Sequence, residues 1–282
     1  MTTMAEKETR LKEILRGLKS AAVAFSGGVD STFLLKVTSE VLGDKVAAVT
    51  GRSLSFPERE LQAARRFTQE HGIIHLEIDS KELEAPGFTA NPVNRCYLCK
   101  NGLFAKIIKT AEARGLSAVM EASNLDDDGD FRPGLTAIRE LGVLSPLREA
   151  GLTKNDIRAL SRERGLPTWD KPSFACLASR FPYGEPITPE GLKKVDAAEV
   201  FLLSLGCRQV RVRCHDQGRL ARIEADEAGL DLLASPERRR LVAEKLAGLG
   251  FAYTALDLQG YRTGSLNETL AAPERLTDPP TA

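Results

Sequence analysis

The sequence predicts an α/β protein: a parallel sheet covered by helices on both faces, followed by a smaller α+β domain. Three observations carry this. Short β-rich runs alternate with segments of helical period up to about residue 170. Those runs are apolar almost throughout, as strands buried on both faces must be. The alternation then gives way to a Pro- and Gly-rich stretch and a different order of elements. A chain of 282 residues also suits two domains of about 100 to 200 residues each better than one.

In chain order, "MTTMAEKETRLKEILRGLKS" is charged and periodic, without the apolar centre of a signal peptide. The strands are "AAVAF" (21 to 25), "KVAAVT" (45 to 50), "IIHLEI" (73 to 78) and "SAVMEA" (117 to 122). Between them, "STFLLKVTSEVLG" puts Phe33, Leu34, Val37 and Val41 on one helical face. The helix in "FPERELQAARRFTQEHG" starts at Pro57, a residue suited to a first turn. These elements define a domain over residues 1 to 170, with a ligand expected at the carboxyl ends of its strands. Residues 171 to 187, within "GLPTWDKPSFACLASRFPYGEPITPEG", lack periodicity and read as a long ordered loop or linker carrying Cys176, of the kind that is usually functional. Trp169, the only tryptophan, is expected to anchor that loop by packing.

A small α+β domain follows over residues 188 to 270. It has a helix near 188 to 205, strands in "RQVRVRCH" and "LARIEAD", a helix capped by Ser235 with Pro236 at its first position, and a strand in "AYTALDL". Residues 271 to 282 read as a loose tail.

Hydrophobic residues make up 42% and charged residues 28%, as in ordinary soluble proteins. A net charge of zero and no basic stripe argue against a nucleic-acid partner. No apolar run approaches the ~20 residues that span a bilayer, so no membrane partner is expected and the localisation read from the sequence is cytoplasmic. There thiols stay reduced, and an odd count of five cysteines argues further against disulfides. The stretch "NRCYLCK" sets Cys96 and Cys99 two residues apart. By itself it fits a zinc clip, a redox pair, part of an iron–sulfur site or two small core residues.

The most informative stretch is "VAFSGGVDST", Val23 to Thr32. An apolar strand runs into Ser26, Gly27 and Gly28, then Asp30, Ser31 and a helix. Two glycines permit a tight turn that exposes successive N–H groups, and the helix adds its N-terminal partial positive charge, making an anion nest. Ser26 and Ser31 can donate to phosphate oxygens, and Asp30 can hold Mg2+. Neither the Walker G-x-x-x-x-G-K-[ST] pattern nor G-x-G-x-x-G is present.

The string S-G-G-V-D-S after a strand resembles the signature of the PP-loop ATP pyrophosphatase superfamily, whose members cleave ATP between its α and β phosphates and transfer AMP to a substrate oxygen. Taken with "EASNLDDDGDFRPG" (121 to 134), "NRCYLCK" and "PSFACLASRFPYGE", the chain resembles the LarE family over most of residues 8 to 260. Those enzymes are ATP-dependent sulfur transferases that turn the carboxylates of pyridinium-3,5-biscarboxylic acid mononucleotide into thiocarboxylates for the nickel-pincer nucleotide cofactor. The resemblance implies ATP at Ser26, Gly27, Gly28, Asp30, Ser31 and Asn124. Asp30, Asp127 and Glu199 become candidate divalent-cation ligands, and the polar run around Asp127 also includes Asp126, Asp128, Asp130 and Arg132.

Cys176 matches the family's sulfur-bearing cysteine. In some members that side chain is sacrificed and left as dehydroalanine; in others three cysteines hold an iron–sulfur cluster that carries an extra sulfide. Cys96, Cys99 and Cys176 match the second pattern, implying a [4Fe–4S] cluster with one iron free of protein thiolate. Zinc completed by Cys207, Cys214 or His215, or free thiols beside a sacrificial Cys176, stay open. Another PP-loop thiolating or amidating enzyme is a further alternative. Cys207 and Cys214 otherwise read as small buried hydrophobes.

The nucleotide substrate implied is anionic, so cationic donors are expected near Cys176. Arg180 beside Ser179 fits, as do Arg211 and Arg213, which alternate on a strand and share a face. Solvated arginines on an edge strand would give the same pattern, and a solvated helix glutamate would account equally for Glu199. Lys100 could neutralise leaving pyrophosphate or lower a neighbouring thiol's pKa. The expected partners are this small-molecule nucleotide, further copies of the chain and a sulfide source.

Overall fold

The structure is a computed structural model that describes residues 3–129, 133–268 and 270, with the backbone alone at 128 and 129. Asp130, Arg132, the Asp128 side chain and the tail 271–282 therefore lie outside the described residues.

The helix α1 (Met4–Arg16) opens on a capping box at Thr3 and Glu6. There follow β1 (Ala21–Ala24), α2 (Val29–Leu42), β2 (Val46–Arg52), α3 (Glu58–Glu70) and β3 (Ile74–Asp79). Next come α4 (Arg95–Ala113), β4 (Ala118–Met120), α5 (Pro133–Glu140), α6 (Pro146–Glu149) and α7 (Lys154–Glu163). The four strands form one parallel sheet in the order β3-β2-β1-β4, with Ala21 level with both Val46 and Ala118. The four strand runs read from the sequence are thus present and parallel; α4, α5 and α7 have no counterpart in the periodicity read above.

Alternation along the strands explains the two-sided burial. Ala21, Val23, Val46 and Ala48 join a core with Phe33, Leu34, Val37 and Leu152, while Ala22 and Val49 join Phe104, Ile107 and Ile138 on the opposite face. An all-parallel sheet needs both covers, because its crossover helices leave neither face to water.

Contacts among the described residues divide the protein into two units: the chain up to Glu82 with Cys96–Lys171, and Leu83–Arg95 with the described residues 172 to 270. The second unit contains α8 (Pro189–Ser204), β5 (Val210–His215), β6 (Leu220–Ala225), α9 (Glu227–Ala234), α10 (Pro236–Gly248) and β7 (Tyr253–Leu256). Its sheet runs β5-β6-β7, antiparallel then parallel. The helix α8 packs on β5 through Leu192, Val195, Ala198 and Leu202, and Val210, Val212, Ile223 and Ala225 are buried with them. The segment 83–95 is tied to this unit by Asn91 and Thr89. Asn91 O accepts from Gly184 N, Thr89 O accepts from Ile187 N, each at 2.9 Å, and the buried Asn91 amide donates to Phe181 O and Pro182 O.

Ser235 Oγ accepts from Arg238 N at 3.3 Å with Pro236 in the first turn of α10. Ser235→Ala should therefore lower stability by about 1 kcal/mol, the usual cost of an N-cap. Urea denaturation checks this, and an unchanged midpoint would show that the cap contributes nothing. Among the described residues no helix is long and apolar enough to cross a membrane.

Candidate active site

The glycine turn sits at the carboxyl end of β1, beside the carboxyl end of β4. These are the two strands where the chain switches direction across the sheet, the place where open α/β sheets bind ligands. Phe25 N still pairs with Val49 O, and the chain then turns at Gly27, whose φ of 66° is open to glycine without strain. Gly28 is the N-cap of α2 and offers no side chain to its free amides. Ser31 is buried and its hydroxyl lies 3.1 Å from that of Ser26 and 3.3 Å from Gly28 O. Two hydroxyls, the glycine turn and a helix start thus lie side by side.

Asp30 Oδ2 accepts from Lys154 Nζ at 2.5 Å, whereas the buried Oδ1 has no hydrogen-bond partner among the described residues. Burial pushes the Asp30 carboxyl above its ordinary range even against the Lys154 charge, and the Asp127 carboxylate adds to the rise. The orphaned oxygen suits a hard cation such as Mg2+, which would supply the missing ligand contact and neutralise phosphate charge. Next to it, Asp127 Oδ2 accepts from Asn124 N at 2.9 Å and Asn124 Oδ1 from Asp126 N at 3.0 Å, folding the run after β4 into a tight turn. Asp126 Oδ2 accepts from Lys154 N at 2.8 Å. Ser26, Gly27, Gly28, Asp30, Ser31, Asn124 and Asp127 are therefore one neighbourhood of the first unit.

No motif pointed to Lys154. Its only local signal is the capping box of Thr153 and Asp156 at the start of α7, which places it in a first turn but does not say what it faces. Trp169 corrects the packing expectation: it is 38% exposed, with the Arg162 guanidinium 5.1 Å over its ring.

Cys96 and Cys99 lie one turn apart in the first turns of α4, Cys96 exposed and Cys99 half-buried. The helix α5 approaches that turn closely at Gly134, where a Cβ would stand 2.9 Å from Lys100 Cγ and 3.3 Å from Cys96 O. Among the described residues no three His, Cys, Asp or Glu side chains gather as a metal-binding group.

In the second unit Cys176 is exposed and precedes a short 3-10 turn over Leu177–Arg180. Its carbonyl accepts from Ser179 N (3.0 Å), Ser179 Oγ (2.8 Å) and Arg180 Nη1 (3.3 Å). Arg180 is fully buried and also donates to Ala175 O at 2.8 Å. Its Nε and Nη2 grip both oxygens of Glu199, at 2.7 and 2.9 Å. Glu199 is 1% exposed, so the solvated-glutamate alternative fails, and Oε1 also accepts from Val212 N at 3.0 Å. Burial alone would raise the Glu199 carboxyl; the Arg180 charge and hydrogen bonds, with Arg211 nearby, outweigh it and hold it below the ordinary range.

Arg211 and Arg213 are buried, which removes the alternative of arginines solvating an edge strand. Arg213 donates to Ser179 O (2.8 Å), Glu224 Oε2 (2.6 Å) and Ser265 Oγ (2.9 Å), while its buried Nε lacks a partner among the described residues. Arg211 donates to Val210 O and Ser173 O and lies near the Phe174 and Tyr261 rings, 5.9 and 5.2 Å from their centroids. Burial, then the Arg180 charge, push the Arg211 pKa down to about 10. Ser179, Arg180, Arg211 and Arg213 thus form one cationic cluster under the Cys176 turn. Ser173, Glu224 and Ser265 complete it, and no short motif marked them. Cys207 and Cys214 are buried as read, and burial raises both thiols, Cys214 to about 11.

A strand–glycine turn–helix at the switch point of a parallel sheet, with two serines and a carboxylate beside the turn, fits one class: an ATP-using enzyme of the PP-loop superfamily. Comparison agrees. The chain is 30% identical over 157 residues, 52% of its length and 39% of the relative's, to the argininosuccinate synthase of Natronomonas pharaonis. No family model matches the chain. It is 38% identical over 279 residues, covering 98% of this chain and 99% of the relative, to the pyridinium-3,5-bisthiocarboxylic acid mononucleotide synthase of Lactiplantibacillus plantarum. An uncharacterized protein of Synechocystis is 41% identical over 267 residues, 95% of this chain and 99% of its own. The chain belongs to the family of that synthase, the LarE family, and is an ATP-dependent enzyme.

Proposed function

We propose that the protein is a sulfur transferase that converts carboxylates of pyridinium-3,5-biscarboxylic acid mononucleotide to thiocarboxylates. The observation that carries this is 38% identity over nearly the full length to a synthase of the bisthiocarboxylic acid mononucleotide, joined to a phosphate loop in one unit and an exposed cysteine beside buried arginines in the other. A carboxylate is a poor electrophile because oxide would have to leave. Its oxygen instead attacks the α phosphorus of ATP, the bond to the β phosphate breaks, and pyrophosphate departs. Sulfur then adds to the acyl carbon of the mixed anhydride and AMP leaves with the electron pair.

In this reading Ser26, Ser31 and the Gly27–Gly28 amides hold the ATP phosphates, with Asn124 and Asp127 shaping the neighbouring turn and Asp30 holding Mg2+. Ser179, Arg211 and Arg213 meet the substrate phosphate, and Arg180 with Glu199 seats the Cys176 turn. Cys96, Cys99 and Cys176 are the sulfur-handling thiols. The donor set suits iron: none of the three is buried, in contrast to Cys207 and Cys214. A [4Fe–4S] cluster held by these three thiolates would supply an iron able to carry an extra sulfide, delivered by an external source. The same reading places the enzyme in the cytoplasm as a homo-oligomer.

The test is anaerobic turnover with ATP and the biscarboxylic mononucleotide. Pyrophosphate release that depends on substrate, a product heavier by the exchange of oxygen for sulfur, and about four irons and four sulfides per chain that disappear in Cys96→Ala are expected. Iron-free active protein whose Cys176 has lost the mass of one hydrogen sulfide molecule after one turnover would assign the sulfur to that side chain and dismiss the cluster.

A further inference from the structure

Lys171 has no part in the chemistry proposed above, yet it touches the phosphate loop. It ends the first unit, five residues before Cys176, and its ammonium donates to Gly27 O at 2.9 Å and to Glu60 Oε2 at 2.6 Å. Glu60 is buried in the first turn of α3. The backbone of Lys171 is itself held, its N–H donating to Thr168 O at 3.0 Å and its carbonyl accepting from Arg158 Nη2 at 2.9 Å. Arg158 Nη1 also donates to Trp169 O at 2.7 Å. The ammonium is thus delivered to the loop from a braced segment.

We infer that Lys171 is a positioning residue that locks the phosphate loop in its anion-binding form. The peptide group is planar and trans, so the Gly28 N–H lies on the edge opposite the Gly27 carbonyl. Pinning that carbonyl to Lys171 aims the N–H to the other side, where it can meet a phosphate oxygen. Glycines on both sides of this peptide leave rotation easy. Without the clamp the plane can turn over and present a carbonyl oxygen to the phosphate, which repels it. Glu60 accepts a second hydrogen bond from the ammonium and thereby fixes its place. The inference rests on the reading of ATP at this loop.

Full-length wild type, Lys171→Met, Lys171→Arg and Glu60→Gln are titrated with inorganic pyrophosphate, ATP and adenosine. Lys171→Met is expected to weaken pyrophosphate and ATP by about ten- to a hundredfold, the range for one hydrogen bond to a charged group. Adenosine affinity is expected to hold, KM for ATP to rise more than kcat falls, and Lys171→Arg to recover most of the loss. Equal weakening of adenosine and pyrophosphate would reduce the lysine to general stability and overturn the inference. So would unchanged pyrophosphate binding in folded Lys171→Met. If that variant does not fold, Glu60→Gln decides by the same ratio, because it loosens the ammonium without removing it. Wild type that binds neither pyrophosphate nor ATP would overturn the ATP reading and the inference together, whereas equal binding by wild type and variant overturns only the role of Lys171.

Discussion

Asp30→Asn is expected to lower kcat for substrate-dependent pyrophosphate release by roughly two to three orders of magnitude, the range for losing one preorganised charge-stabilising group. The carboxylate stands beside the anion nest with one oxygen on Lys154 and the other buried and without a partner among the described residues. The amide keeps the shape and removes the charge. Activity within about tenfold of wild type, well short of that range, would show that the carboxylate has no part in handling ATP.

The pH dependence has a definite sign. Burial raises the Asp30 carboxyl above its ordinary 3.8 despite Lys154, so the folded protein holds this proton more tightly than the unfolded chain does. Ionised Asp30 then costs stability at pH above the folded value, and that cost fades as pH falls through it. Asp30→Asn should therefore keep or raise Tm at neutral pH while activity collapses. A parallel fall of both would point to a structural role instead.

Arg180→Met is expected to destabilise the second unit by about 3 to 5 kcal/mol, the cost of stranding a buried partner's charge. Glu199 is 1% exposed and Arg180 fully buried, so solvent cannot take over for either. Against a total stability of about 5 to 15 kcal/mol for a typical protein, this should be plain in urea or thermal unfolding. Arg180→Met with Glu199→Leu should recover most of the loss, since removing both charges leaves none stranded. The double variant should still lose sulfur transfer, because Ala175 O and Cys176 O lose the donor that shapes the turn. A single variant as stable as wild type would show that the pair contributes nothing.

Acid should act on the same pair. The Glu199 carboxyl lies below its ordinary 4.5 in the folded protein. Its contribution is therefore fully present above that ordinary value and is lost as pH falls through the lower folded one.

The parallel sheet was legible because strand burial on two faces writes itself locally, as continuous apolar runs such as those ending at Phe25 and Thr50. The phosphate loop was legible for a similar reason: a tight turn needs glycines next to one another in the chain, and the helix start follows directly. The α10 cap at Ser235 and Pro236 is local too. The α4 helix was less visible, because its opening turns carry Arg95, Cys96, Cys99 and Lys100 in place of a clean apolar stripe.

What the sequence determined by itself about this protein was therefore whatever depends on neighbours within a turn or two: strand runs, the anion nest, the caps and the spacing of Cys96 and Cys99. Only the tertiary structure decided the pairings across long separations. Asp30 meets Lys154, Gly27 meets Lys171, Glu199 meets Arg180 and Arg213 meets Glu224. Each joins a charge or polar group to a partner that no spacing rule reaches, because burial, not sequence distance, sets how strongly two charges need each other. The same low-dielectric surroundings separate Arg211, buried and pushed down to about 10, from the solvated arginine its strand pattern equally allowed.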